Sequence, residues 1–396
     1  MNRGIKILAV FFLAVWLWGI GTVCCYGSTE KGQDKEQNTD QTDPEAAEGM
    51  LEEIEFGEIQ KMVDELLGEQ SFSLKEAVIN MINGEEPISK EAVRGVLYSF
   101  FFSGLKNEKT LFFRLLLLVL LAAVLDGFVD VFENGQIGAV SFYVVYLVLF
   151  MMLMEAFGRL SSTLTVRLNW LGEFMKTLAP AYFLAVSTAN GVSTAAVFYE
   201  GVLLLVWMIQ WVLVNFLLPG VNLCILLKMV NYLSKEEMLS KMSELLEVVI
   251  SWALKTLIGL AVGLQVVKNL VAPVMDSLKR TAVGKTAGAI PGIGNAVNAI
   301  TQLILTSAVL VRNSFGAVIL VLIAAAGLQP LIHYGALSLS YRFLAALAQP
   351  VSDKRIVESL ATMGEGCAML LKVLFTAEVL CMLDFVILMT SVGGGA

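Results

Sequence analysis

Charged residues and histidine are scarce in this 396-residue chain, and each shortage excludes a class of protein. Asp, Glu, Lys and Arg make up 16% of the residues against 57% hydrophobic ones, which leaves too little polar surface for a soluble coat. The one histidine, His333, excludes an H-E-x-x-H motif and any site with several histidine ligands. Ser-His-Asp catalysis remains open only if His333 takes part.

Cysteine is also too sparse for a disulfide framework. Two of the five cysteines lie within the first 27 residues, and the exported segment that follows has none. Cys224, Cys367 and Cys381 lie in or beside apolar runs, where a thiol behaves as a small hydrophobic side chain. No catalytic, cofactor-binding or metal-ligating residue is predicted, so the sequence gives no reason to expect an enzyme.

Long apolar runs are what the chain does have, and they predict an all-α, polytopic membrane protein. The mean hydropathy is +0.74, and about 20 apolar residues suffice for a helix to cross the hydrocarbon core. We expect about eight transmembrane helices within a domain that covers residues 111–396. The predicted spans are 111–132, 137–157, 178–198, 202–227, 246–267, 289–311, 314–334 and 367–391.

The N-terminus has the pattern of an export signal. Arg3 and Lys6 precede an apolar core, and small residues precede a plausible cleavage point after Gly27. We predict a signal peptide at 1–27, with an uncleaved anchor as the alternative. The polar stretch 28–48 is predicted to be a disordered acidic linker.

Residues 49–110 are predicted to form a small extracytoplasmic segment of short amphipathic helices. One helix should stop at Gly68, and a second should begin after Ser73 and end at Asn83, whereas Ser89 could cap a third. Residues 28–110 contain 19 acidic and 8 basic residues, a net charge of −11. This charge argues against binding to nucleic acid or anionic lipid and suggests a protein partner.

Two patterns set the expected orientation. The export signal places residue 110 outside, and counting spans from there places 268–288 inside. That stretch contains four basic residues and one acidic residue, as the positive-inside rule requires. Between spans, 159–177 reads as an interfacial amphipathic helix outside the membrane, and 335–349 as re-entrant or interfacial.

Two segments, 178–200 and 284–302, combine Pro or Gly with polar side chains inside apolar surroundings. Lipid cannot satisfy such groups, so both segments should be buried in protein or line a wet cavity. Paired interrupted segments point to a transport pathway, and close helix packing is the alternative explanation. The candidate pathway residues are Asn190, Ser193, Thr194, Glu200, Asn295, Asn298 and Gln302.

Three other features have structural interpretations. Gly259 and Gly263 form a G-x-x-x-G motif that is typical of helix packing. Glu378 and Asp384 lie in the last predicted span and should face other helices or subunits. The G-K-T sequence that begins at Gly284 lacks the earlier glycine of a P-loop and is interpreted as a chance match.

Taken together, the layout resembles the stage III sporulation protein AE family of endospore-forming bacteria. The resemblance rests on STANGVSTAAVFYEG at 187–201, AVGKTAGAIPGIG at 282–294 and the glycine-ended last helix, and it covers the chain from about residue 50. These motifs lie within a signal peptide, acidic helical segment and Gly/Ala-rich membrane domain arranged in that order.

The resemblance implies a location in the mother-cell membrane that surrounds the forespore. It also implies a role in a secretion-like channel complex between the two cells, with other stage III A proteins and stage II sporulation protein Q as partners. The protein is therefore expected to be a membrane component of that complex and to form its permease-like part. A stand-alone secondary transporter for a small solute is the alternative.

Overall fold

The computed structural model describes residues 56–67, 73–83, 113–117, 120, 135–190, 192–233, 239–283, 294–350 and 352–391. The predicted signal peptide 1–27, the linker 28–48 and most of the predicted span 111–132 lie outside the described residues, as does the third helix expected after Ser89. The predictions made for those parts stay predictions.

Every regular element in these ranges is helical, which confirms the all-α prediction. The helices are α1 (Gly57–Leu67), α2 (Leu74–Ile82), α3 (Gly135–Asn190), α4 (Val192–Val212), a π-helical turn (Leu213–Leu217), α5 (Leu218–Leu233), α6 (Ser240–Val283), α7 (Gly294–Ala348) and α8 (Lys354–Ser391). Four helical segments of this described part are long and apolar enough to cross a membrane: Tyr143–Pro180, Leu203–Leu233, Ser240–Val266 and Leu310–Ala348.

Helices α3 and α7 each join segments that the sequence analysis separated. Helix α3 has 56 residues and continues through Pro180, so 159–177 is part of one continuous helix and not a connection between two separate ones. The apolar face of that stretch was identified correctly, because Leu160, Leu164, Leu168 and Leu171 are all buried. Its surroundings were predicted wrongly, since the face packs against other helices. Likewise the predicted segment 335–349 is not a separate element, since α7 continues without a break to Ala348.

Helix α8 lies at the centre of the bundle, and named contacts give the direction of its neighbours. Tyr146 at the start of α3 lies 3.0 Å from Ser359, and the ring of Tyr182 near its end lies 5.2 Å from Phe385, so α3 and α8 are parallel. The Tyr182 ring also stacks on Phe315 of α7, and the hydroxyl of Tyr334 farther along α7 donates to the carbonyl of Leu160 on α3, so α7 is antiparallel to both. We call these two levels of the bundle the Tyr146 end and the Tyr182 end.

The chain returns from the Tyr182 end through α4, the π-helical turn and α5. Pro219 follows the turn and has no N–H to donate to the carbonyl of Asn215, so the regular hydrogen-bond ladder must change there. The N–H of Leu218 instead donates to the carbonyl of Leu213, five residues back. Helix α5 then ends at the Tyr146 end, where the hydroxyl of Tyr146 donates to the carbonyl of Met229 at 2.6 Å.

The path of α6 changes the predicted orientation. It packs antiparallel to α5, since the carbonyl of Ser243 accepts from the Cys224 thiol and Gly220 faces Ile250. Helix α6 therefore runs toward the Tyr182 end, and so do the first residues of the basic stretch 268–288. The alternation of inside and outside segments predicted after residue 157 assumed that the chain reverses between two spans. Both spans fall in α3, which does not reverse, so that alternation is no longer supported.

Helices α1 and α2 pack onto the Tyr182 end. The side chain of Ser73 accepts a hydrogen bond from the N–H of Glu76, and α2 ends before Asn83, as the sequence predicted. The ring of Phe56 lies edge-on against Phe315 of α7, with centroids 5.5 Å apart. The buried side chains of α1 and α2, such as Val63, belong to the same hydrophobic core as the bundle.

Candidate functional site

The predicted pathway residues lie at helix ends of the structure. Asn190 is the last residue of α3, Ser193 and Thr194 are in the first turn of α4, and Asn295, Asn298 and Gln302 are in the first turns of α7. Of this set the structure describes only one side chain, that of Glu200, which is exposed. The polar pathway therefore stays a prediction.

The G-x-x-x-G pair of α6 has no packing contact within the described residues. Gly259 and Gly263 are exposed, and a Cβ atom added to either would meet no atom within 4 Å. Described helices pack closely against glycines elsewhere, at Gly172, Gly316, Gly327, Gly364 and Gly366. A packing role for the α6 motif would need a contact outside the described part of the chain.

Two acidic side chains are buried in α8, Glu378 and Asp384, with 3% and 2% of their surface exposed. Both face neighbouring helices, as expected from the sequence. Neither oxygen of the Glu378 carboxyl group, nor Oδ1 of Asp384, has a hydrogen-bond partner among the described residues. Ionisable groups of this kind within membrane helices are costly, and they usually mark ion or proton pathways.

Glu378 lies where α3, α7 and α8 meet. Its carboxyl group packs against Gly327, where an added Cβ would lie 2.6 Å from the carboxyl carbon, so only glycine leaves room. The positive charge of Arg167 on α3 acts on this carboxyl group. Arg167 donates to the carbonyl of Ala326, and its guanidinium carbon lies 4.6 Å from the ring centroid of Trp170.

Asp384 borders a small cavity of about 30 Å³ between α3, α4 and α8. The amide group of Gln210 also borders this cavity and donates to Oδ1 of Asn169 at 3.1 Å. The other lining residues are mostly apolar: Leu168, Leu171, Gly172, Met175, Val206, Ile209, Leu213, Ala377 and Cys381. The cavity is large enough for one or two water molecules, since each needs about 10–15 Å³.

A second charged cluster ties three helices together on the side of the Tyr146 end. The Nζ atom of Lys228 on α5 lies 2.9 Å from a carboxylate oxygen of Glu247 on α6 and 2.9 Å from one of Glu365 on α8. The Lys228 side chain is 16% exposed, whereas the two glutamates are nearly half exposed. This arrangement fixes the relative position of α5, α6 and α8 and has the character of a structural ion-pair cluster.

No group of three or more His, Cys, Asp or Glu side chains within the described ranges could hold a metal ion. Cys224, Cys367 and Cys381 are buried and form no disulfide among the described residues. His333 lies beside Tyr334, with ring centroids 5.7 Å apart.

Arg167 and Lys228 are the charged residues that sequence reasoning missed. Arg167 was assigned to an interfacial surface, and Lys228 was counted within a connecting loop. The available signal was a single basic residue within a long apolar run, for which burial requires a partner of opposite charge or a carbonyl oxygen. A sequence does not show which helix supplies that partner.

Comparison with known proteins decides the family. The family model of stage III sporulation protein AE matches residues 72–392, which include all described helices except α1. The chain belongs to the stage III sporulation protein AE family. Stage III sporulation protein AE of Bacillus subtilis (strain 168) is 22% identical over 367 residues, covering 92% of each chain. No solved structure matches the chain.

Family membership links the bundle to sporulation. The match begins just before α2 and ends just after α8, so the buried acidic residues, the Lys228 cluster and the four apolar segments all lie within it. These features therefore belong to the part of the chain that the family shares.

Proposed function

We propose that this protein is a non-enzymatic membrane component of a secretion-like channel complex between the mother cell and the forespore, and that it supplies a permease-like part. Its partners would be other stage III A sporulation proteins and stage II sporulation protein Q. The observation that carries the proposal is the family match over residues 72–392. The expected location is the mother-cell membrane around the forespore.

The surface of the bundle supports a membrane location. Large apolar side chains are exposed along α4 and α6, among them Trp207, Trp211 and Trp252, each more than half exposed. Water would penalise such a surface, whereas lipid tails accept it. In contrast, the exposed side chains of α1 and α2 include Glu58, Asp64 and other charged residues suited to an aqueous partner surface.

Localisation and cross-linking test the proposal directly. A functional fluorescent fusion should gather at the membrane around the forespore during sporulation. Cross-linking of those cells should recover stage III A proteins or stage II sporulation protein Q with the fusion. A fusion spread evenly over the mother-cell membrane, without these partners, would contradict a role in the channel complex.

A secondary transporter is the second candidate, and the buried carboxyl groups of Glu378 and Asp384 favour it. Transporters place such groups on the path of a coupled ion. The purified chain in liposomes separates the two functions. Ion-coupled uptake of a solute without partner proteins would support the transporter, whereas the channel component should show none.

Replacing amides of the predicted pathway should harm sporulation more than changing a lipid-facing residue. We expect Asn190→Leu or Asn295→Leu to lower spore formation at least tenfold, because an apolar side chain would dehydrate a polar path. Leu204→Ile is the control, since Leu204 is 66% exposed on α4 and the change keeps an apolar side chain there. Heat-resistant spore counts and membrane abundance would be measured together. Equal effects at all three positions would remove the argument for a polar path.

Cysteine labelling should decide the orientation of the bundle. The export signal predicts that α1 and the Tyr182 end lie outside, whereas the positive-inside rule, applied to 268–288, predicts the reverse for this fold. We expect an impermeant maleimide to label Glu58→Cys in intact cells that express the protein without sporulating, and Lys354→Cys only after permeabilisation, in a cysteine-free background. The opposite labelling would show that the basic stretch sets the orientation.

A further inference from the structure

Asp384 is deeply buried, and no basic side chain of the described residues pairs with it. Its Oδ1 atom has no hydrogen-bond partner among the described residues, and only 2% of the residue surface is exposed. The charge of Arg167 acts on Glu378 and Cys381, and that of Arg312 acts on Tyr182, whereas no described basic side chain lies within ion-pair distance of Asp384. An ionised carboxylate in these surroundings would lack both solvation and a partner.

The cavity beside Asp384 provides space for a water molecule that can exchange a proton with the carboxyl group. It is about 30 Å³ in volume, and its described lining contains only two polar side chains with oxygen atoms, Asp384 and Gln210. Hard metal cations need several oxygen ligands, which two side chains do not supply. A proton needs only the carboxylate itself, with a water molecule to carry it.

The residues that line the cavity include the start of a hydrogen-bonded route to the surface and part of the π-helical turn. Gln210 is half-buried and donates to the exposed Asn169, so a hydrogen-bonded pair leads from the cavity to the outside of α3. Leu213, at the start of the π-helical turn, also lines the cavity. Such turns occur frequently at functional sites, because they break the regular backbone ladder.

We propose that Asp384 and the adjoining cavity form a proton-binding site inside the bundle, with exchange through Gln210 and Asn169. Among the described residues, the titratable groups near it are Glu378 and Cys381 on α8, Arg167 on α3, and Tyr182 on α3, on which the charge of Arg312 on α7 acts, while α4 contributes the neutral Gln210 to the lining. The site does not depend on membership of the channel complex. A proton bound there removes the uncompensated charge from the helix interface.

Infrared spectroscopy of the full-length protein in lipid vesicles tests this site. At neutral pH we expect the carbonyl band of a protonated carboxylic acid, which shifts in heavy water and is lost in Asp384→Asn. The matched control Asp353→Asn changes an exposed aspartate and should leave the band intact. Gln210→Leu should slow the heavy-water shift at least tenfold without removing the band.

Three outcomes would overturn the proposal. The first is a spectrum at neutral pH in which the wild type and Asp384→Asn do not differ in the protonated-acid region. The second is loss of the band when sodium chloride replaces another salt at constant ionic strength, which would assign the site to a metal cation. The third is a band that never shifts in heavy water. If Asp384→Asn does not fold, carboxyl-labelled aspartate assigns the band, because the label shifts it in the wild type and leaves it unshifted in Asp384→Glu.

Discussion

Gly366→Leu should strongly destabilise the folded protein. A Cβ atom at this position would lie 2.7 Å from a ring carbon of Phe157 and 3.0 Å from Ile225. Both neighbours are almost completely buried, at 1% and 0% exposure, so neither side chain has space into which it could move. Overpacking of this kind costs about 3 kcal/mol, because α8 must separate from α3 and α5.

Thermal unfolding of the detergent-solubilised protein measures this effect, with Gly263→Leu as the control. Gly263 is also a helical glycine, but an added Cβ there meets nothing within 4 Å. Both changes gain the same helix propensity, so the difference isolates packing. A Gly366→Leu variant as stable as the wild type would contradict the central position of α8. A loss at Gly263 as large as that at Gly366 would show that the α6 glycine motif packs against an undescribed part of the chain or another molecule.

Lys228→Met should lower the melting temperature markedly. The change removes the one cation between Glu247 and Glu365, so two carboxylates at the junction of α5, α6 and α8 would lose their shared partner. Removing one partner of a fully buried pair costs about 3–5 kcal/mol. Because both glutamates are nearly half exposed, water reduces this penalty, and we expect about 2 kcal/mol.

Lys241→Met is the matched control for this variant. Lys241 also pairs with a glutamate, Glu244, but both side chains are well exposed, so its loss should leave the melting temperature unchanged. A triple variant with Lys228→Met, Glu247→Gln and Glu365→Gln should recover most of the stability, since no unpaired charge remains. Failure of the triple variant to recover would show that Lys228 acts through packing of its alkyl chain.

Local features were predictable from the sequence because their causes are local. The cap at Ser73 and the end of α2 at Asn83 follow from side chains a few residues apart. The buried face of 160–171 follows from helical spacing alone. Whether this face contacts the lipid interface or other helices could not be predicted, because the same apolar helix face suits both surroundings.

Long-range features were not predictable in the same way. Pro180 and the polar residues near it suggested a break in α3, yet neighbouring helices hold the helix continuous through Pro180. For the glycines, the G-x-x-x-G motif at Gly259 and Gly263 indicated packing, but described contacts occur at Gly327 and Gly366, which lack that spacing. Which glycine faces another helix depends on the positions of neighbouring helices, and this is set by contacts far apart in the chain.

The length of α3 has a mechanical consequence. Its 56 residues extend about 84 Å, against a hydrocarbon thickness of about 30 Å. Even a steep tilt leaves several turns standing in water beyond the lipid headgroups. A partner protein that binds the part of α3 outside the membrane could therefore move the part inside the membrane without entering the bilayer itself.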